Sequence, residues 1–334
     1  MIDEFLHGHA MGREWLLADG ATGTNLFDMG LTSGDAPELW NADHPDRIRA
    51  LHQGFVEAGS DIILTNSFGA NARRLALHKA EARVHELNRL AAAHARAVAD
   101  ASGRRVIVAG SVGPTGDLFA PLGPLTGTEA VEVFAEQIAG LQAGGADLIW
   151  IETMSAMEEM RAAATAAGRV GMPYTLTASF DTAGSTMMGI TPAAMIGAVG
   201  GFVPHAHGIG CTCGVGASDL ICSVLAMTDA APERLVIAKA NCGIPQVGAG
   251  GVTYSGTPEI MADYARLALD AGARVIGGCC GTRPEHVRAM RRALEAHRRG
   301  DRPTVAEIVA RVGPLASPPV AAGTARRAGG RRRG

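Results

Sequence analysis

Cys279 and Cys280 stand side by side in a glycine frame, Gly277-Gly278-Cys279-Cys280-Gly281-Thr282. Adjacent cysteines seldom bond to each other, because the resulting ring is strained. Two free thiols there suit a soft metal ion, zinc foremost. The plainer alternative is a buried strand end, since free cysteine is a common core residue. A second thiol pair lies upstream in Gly210-Cys211-Thr212-Cys213-Gly214. One thiol from that pair, joined to Cys279 and Cys280, makes a three-sulfur site with an open position, the mark of a catalytic zinc. Both thiols together would make a closed structural or sensing site. Cys213 is favoured because it lies further out along the chain, although the two share a side only if the strand continues through Cys213. Zinc holds a bound thiol as an electron-rich thiolate at neutral pH, which suits attack of a substrate thiol on carbon. No HExxH pattern points to hydrolysis, and His205 and His207 precede the strand.

Two acids also fall at apparent strand ends, Asp19 and Glu152. Either suits a substrate ammonium group, because charge-assisted hydrogen bonds are strong in a dry site. Each is equally at home as a helix cap or first-turn acid. Gly20, Ala21 and Thr22 offer backbone N–H groups to a carboxylate. A metal-bound thiol, an ammonium site and a carboxylate site together describe a thiol amino acid.

Short apolar runs alternate with amphipathic stretches and would place these residues. The expected strands are 15–19, 61–65, 106–110, 147–151, 174–178, 206–211, 235–240 and 274–278. They lack clean alternation, as strands buried on both faces should. Val131, Phe134, Ile138 and Leu141 follow helical spacing. Pro45, Pro192, Pro258 and Pro284 mark helix starts, and Gly59, Gly145 and Gly272 mark helix ends. Eight βα units predict an α/β protein with a single (β/α)8 TIM barrel, carrying a catalytic zinc at the C-terminal face of its strands. The turn Asp19-Gly20-Ala21-Thr22-Gly23-Thr24 lacks the dinucleotide fingerprint of an open doubly wound sheet.

The phrases GGCCGT at 277–282, DGATGTNL at 19–26, TNSFGAN at 65–71, GSVGPTG at 110–116 and IET at 151–153 resemble the homocysteine S-methyltransferases. The likeness spans about residues 13 to 298 and leans toward the short bacterial betaine–homocysteine methyltransferases. It implies the same barrel, a Zn2+ ion held by Cys213, Cys279 and Cys280, and homocysteine sulfur as the fourth ligand. It also implies Asp19 and Glu152 beside the substrate amino group, and Gly20 and Ala21 at its carboxylate. Two departures stand out. Thr212, preceded by Cys211, replaces the usual Asn. Gly69 and Thr153 occupy places where animal betaine enzymes carry tyrosines. An aromatic cage for a quaternary ammonium donor is then left to Trp40, Phe68 or Tyr254, with Trp40 the candidate in the loop after the first strand.

The expected activity is methyl transfer to homocysteine, giving methionine, from a small onium donor with glycine betaine favoured. S-methylmethionine, dimethylsulfoniopropionate or a methylcorrinoid partner are the other donors, and a zinc- or redox-sensing thiol protein is the non-enzymatic alternative. The barrel is expected over residues 1–312 and a disordered, Arg-rich tail over 313–334. A formal net charge of -3 gives no case for a nucleic-acid or membrane partner. The early acids of MIDEFLHGHA and six cysteines without a disulfide framework fit a cytoplasmic enzyme of small molecules. The sequence does not fix an oligomeric state.

Overall fold

The computed structural model describes Leu6 and residues 12–243, 245–248 and 251–316. Eight strands form one parallel sheet: β1 (Leu16–Leu17), β2 (Ile62–Leu64), β3 (Ile107–Val112), β4 (Leu148–Met154), β5 (Tyr174–Ala178), β6 (Gly208–Cys213), β7 (Val236–Ala240) and β8 (Ala273–Gly278). Their order around the sheet is β1-β8-β7-β6-β5-β4-β3-β2. The seam between β1 and β2 closes through Asp61 N–H to Leu17 O at 2.6 Å and Asp19 N–H to Ile62 O at 3.0 Å. The result is the expected (β/α)8 barrel.

Each strand is followed by a main helix: α1 (Pro45–Ala58), α2 (Val84–Ala101), α3 (Gly127–Ala143), α4 (Met157–Val170), α5 (Pro192–Val199), α6 (Ala217–Ala230), α7 (Pro258–Asp270) and α8 (Pro284–Ala296). Thr191 and Thr257 cap α5 and α7 by accepting from the Ala194 and Ile260 N–H groups. Gly59 leaves α1 at a φ of 105°, a conformation that costs glycine little. A hairpin, Pro245–Gly248 with Gly251–Tyr254, follows β7. A last helix covers Val305–Val312. The tail expected from residue 313 lies outside the described residues beyond residue 316. Among the described residues no helix is long and apolar enough to cross a membrane.

Strand alternation sorts the core into two parts. Leu16, Ala18, Ile62, Leu64, Leu148, Trp150, Ile237 and Val275 pack inside the barrel. Leu17, Ile63, Ile149, Ile151, Val236 and Ala238 join the helices outside it. Continuing the same parity, Glu152 on β4 and Lys239 on β7 fall on the inner face near the C-terminal end. The register also levels three neighbouring strand ends: Cys213 pairs with Ala240, and Ala240 with Gly278.

Candidate active site

This levelling brings the Cys213, Cys279 and Cys280 sulfurs within 4.8 Å of one another. Cys213 Sγ and Cys279 Sγ lie 2.7 Å apart, both free thiols. By alternation Cys213 should share the helix-facing side with Ile209 and Cys211. Its φ of 64° and that of Gly214, 73°, turn the chain instead. A non-glycine residue held in the left-handed region is strained, and such strain gathers at functional sites. Cys211 stays in the outer core at 2% exposure, its thiol toward Leu220 O and Ile237 O. It is not part of the cluster. Thr212, at the place of the family's Asn, bonds inward to Thr177 Oγ1 at 2.6 Å.

Asn241, at the end of β7, ties the two cysteine loops together. Its Nδ2 donates to Gly214 O at 2.7 Å and its Oδ1 accepts from Cys280 N–H at 3.1 Å. Cys279 N–H donates to Ala240 O at 2.6 Å. Hydrogen bonds from Cys213 and Cys279 pull the Cys280 thiol well below the ordinary range, and the Tyr254 hydroxyl adds another. The donor set is therefore three converging soft sulfurs, one readily ionised, with no fourth sulfur among the described residues in reach. Zinc–sulfur bonds of about 2.3 Å place sulfurs about 3.8 Å apart; the Cys213–Cys279 pair is closer than that, and it is the donor chemistry, three soft thiols within 4.8 Å of one another, that fits the ion.

The cluster forms one end of a cavity of about 410 Å³. Gly20, Ala21, Ser111, Glu152, Thr153 and Lys239 line it together with the three cysteines. Thr153 has a φ of 61°, the second strained residue on this wall. Burial pushes the Glu152 carboxyl up to about 7, against the pull of Lys239 and the Ser111 hydroxyl. Ser111 Oγ donates to Glu152 Oε1. Lys239 Nζ reaches Asp19 Oδ1 at 2.7 Å, and Asp19 Oδ2 accepts from Leu64 N–H at 2.7 Å. Each Asp19 oxygen thus has a partner, and Asp19 is not among the residues that line the cavity. Burial works against the charge of Lys239, but Asp19 and Glu152 outweigh it and hold the ammonium above its ordinary value.

Sequence reasoning passed over Lys239 and took Ser111 and Asn241 only as members of strand-end turns that could shape the mouth. The signal for Lys239 was a lone cation in Leu235-Val236-Ile237-Ala238-Lys239-Ala240, since a buried charge must be paired. Of the two amides expected at a carboxylate, Ala21 N–H already donates to Thr282 O at 3.1 Å. Gly20 is glycine because a Cβ there would lie 2.6 Å from Thr282 O. Trp40, expected near the methyl donor, is not brought to the cavity. It starts a short helix, Trp40–Asp43, and is 7% exposed, with His44 and Arg47 against its ring. The aromatic rings that line the cavity are Phe27 and Phe68, and Asp35, Glu38, Arg74 and His78 also line it. Tyr254 stands by Cys280 instead.

The barrel agrees with comparison to known proteins. The family model described as Homocysteine S-methyltransferase matches residues 16–294. The chain belongs to the homocysteine S-methyltransferase family. Within that family it is 31% identical over 304 residues to a methionine synthase of Mycobacterium tuberculosis (strain ATCC 25618 / H37Rv), covering 86% of this chain and 25% of the relative. A methionine synthase of Mycobacterium leprae (strain TN) is 29% identical over 84% of this chain and 24% of its own length. The chain thus spans about a quarter of these relatives. Among solved structures, the metallated homocysteine methyltransferase MmuM from Escherichia coli superposes with a TM-score of 0.71 at 24% identity, covering 86% of this chain and 99% of that one. At this identity the likeness speaks for the fold alone.

Proposed function

We propose that this chain is a zinc-dependent S-methyltransferase that moves a methyl group from a small onium donor to homocysteine, forming methionine. The observation that carries this reading is the convergence of three thiols at one end of a cavity with ionisable walls. Cys213, Cys279 and Cys280 would hold the ion, and Asn241 and Tyr254 would fix their loops. When bound, zinc would keep the substrate thiol as a thiolate at neutral pH. Glu152 faces the cavity where an ammonium group would sit, and Gly20 offers an amide at the turn beside it. The substrate sulfur attacks the methyl carbon; the sulfur–carbon bond forms as the donor's bond to that carbon breaks. The donor leaves as a neutral amine or sulfide with the electron pair. Positioning of two bound reactants supplies most of the rate.

Two charged residues on the cavity wall, Glu38 and Arg74, support a zwitterionic donor. Glu38 is buried there, with Oε1 accepting from Gly69 N–H at 2.6 Å, and Arg74 stands close by. A carboxylate and a guanidinium on one wall suit a molecule with an onium head and a carboxylate tail. Glycine betaine leads, with dimethylsulfoniopropionate of the same charge pattern and S-methylmethionine carrying one ammonium more. A methylcorrinoid partner is the second reading, favoured by the similarity to one quarter of longer methionine synthases. A zinc-sensing role is weakened by the position of Cys211 outside the cluster.

The test is a donor panel of glycine betaine, S-methylmethionine, dimethylsulfoniopropionate and methylcorrinoid, with zinc-loaded protein and homocysteine. Methionine from one onium donor is expected. No methionine from any donor would sink the reading.

A further inference from the structure

Tyr254 closes the second strand of the hairpin after β7, paired with Pro245. The chain around it is pinned to one residue, Cys280. Cys242 N–H donates to Cys280 O at 2.8 Å, and Gly256 N–H donates to Cys242 O at 2.9 Å. Cys280 N–H in turn donates to Asn241 Oδ1 at 3.1 Å. Two glycines let these segments close up. A Cβ on Gly256 would lie 2.6 Å from the Cys242 carbonyl carbon, and one on Gly281 would lie 2.3 Å from Tyr254 Cγ. The Tyr254 ring thus packs on the bare Gly281 backbone, and its hydroxyl bonds to the Cys280 sulfur. Burial raises the Tyr254 phenol and this bond adds to the rise, while on Cys280 it adds to the lowering by Cys213 and Cys279. Both signs are those of a hydroxyl donating to sulfur. Tyr254 is not among the residues that line the cavity, although all three cysteines are. A substrate thiol reaches the ion through that cavity, so a hydroxyl outside its lining is set to act on the sulfur.

We infer that Tyr254 is a positioning residue of the metal centre: its hydroxyl donates to the Cys280 thiolate, and by drawing charge from that sulfur it tightens zinc binding and leaves the ion able to take a fourth thiolate. This rests on the proposed zinc site. Three thiolates outweigh the charge of one Zn2+, and a fourth from the substrate adds to the excess. A hydrogen bond to a charged sulfur is stronger than one to a neutral thiol, so the donor favours the metal-bound form. Partners of this kind orient metal ligands and tune the ion they hold.

Tyr254→Phe keeps the ring and removes only the donor. Zinc affinity, read by competition with a chromophoric chelator, should fall about tenfold or more. In cobalt-substituted protein the sulfur-to-cobalt charge-transfer band should move to longer wavelength, because a thiolate without its hydrogen bond holds its electrons less tightly. The shift should persist with homocysteine bound. Either quantity unchanged would overturn the inference and reduce Tyr254 to packing. A shift that vanishes when homocysteine binds would also overturn it, since Tyr254 would then be a displaceable ligand. Wild-type protein that retains no zinc would bring down the proposed function itself, a result distinct from these.

Discussion

At Cys213 one backbone angle decides which of two thiols joins the cluster. The residues two apart on β6 would share a side in an extended strand, and the φ of 64° breaks that rule at Cys213. Replacing Cys213 with Ser should therefore abolish stoichiometric zinc retention, whereas Cys211→Ala should leave it near one ion per chain. Metal analysis after dialysis measures both, and zinc loss in Cys211→Ala would reassign the ligand. The Cys279-Cys280 pair and its third partner were legible because metal chemistry demands particular residue types. Lys239 was not, because its meaning depends on facing Asp19 across the barrel, 220 positions away in sequence. Trp40 misled for the opposite reason. An aromatic residue in a strand-end loop looks available, and only packing against His44 and Arg47 shows that it is spent.

Elements carry the site through register, and register is only partly written in a sequence. The apolar runs located all eight strands, since burial on both faces leaves a continuous signal. Their ends shifted: β6 runs to Cys213 and β4 to Met154, past the expected limits of 211 and 151. Glu152 is accordingly inside a strand, aimed by its pleat, and not in the loop after it. On α1 the helical period hides a liability. His52 is fully buried and neither ring nitrogen has a hydrogen-bond partner. Burial, with His94 nearby, lowers it from 6.5 to about 4. The unfolded chain takes up this proton below about 6.5, while the folded chain refuses it until about 4. Stability is thus complete above the first value and falls as pH drops toward the second. At about pH 5 the loss is on the order of 2 kcal/mol. His52→Leu should narrow the stability gap between about pH 8 and about pH 5 by that amount in urea unfolding. An unchanged gap would show that the acid sensitivity resides elsewhere.

Across the whole molecule, the chemistry and the closure of the barrel sit at opposite ends. The thiols and Glu152 lie at the C-terminal strand ends, as a (β/α)8 barrel permits, because loop residues there converge without bearing the fold. β1 is only two residues long, so the seam it makes with β2 needs support at the other end. Asp61, just before β2, supplies it. Its carboxylate accepts from Leu17 N–H at 2.9 Å and pairs with Arg13 at 2.5 Å, Arg291 at 3.2 Å and Arg104 at 3.7 Å. These arginines come from the N-terminal segment, from α8 and from the turn before β3, so one buried acid fastens the first and last parts of the chain. Removing its charge leaves three guanidinium groups facing one another around a neutral amide. Asp61→Asn should cost about 3 kcal/mol of unfolding free energy, seen as a lower urea midpoint with an unchanged slope. The folded variant should still bind zinc with full stoichiometry, because Asp61 and its arginines lie before β2, away from the strand ends that carry Cys213 and Cys279. A variant that loses zinc while keeping its urea midpoint would mean that the seam and the thiol cluster are coupled through the barrel.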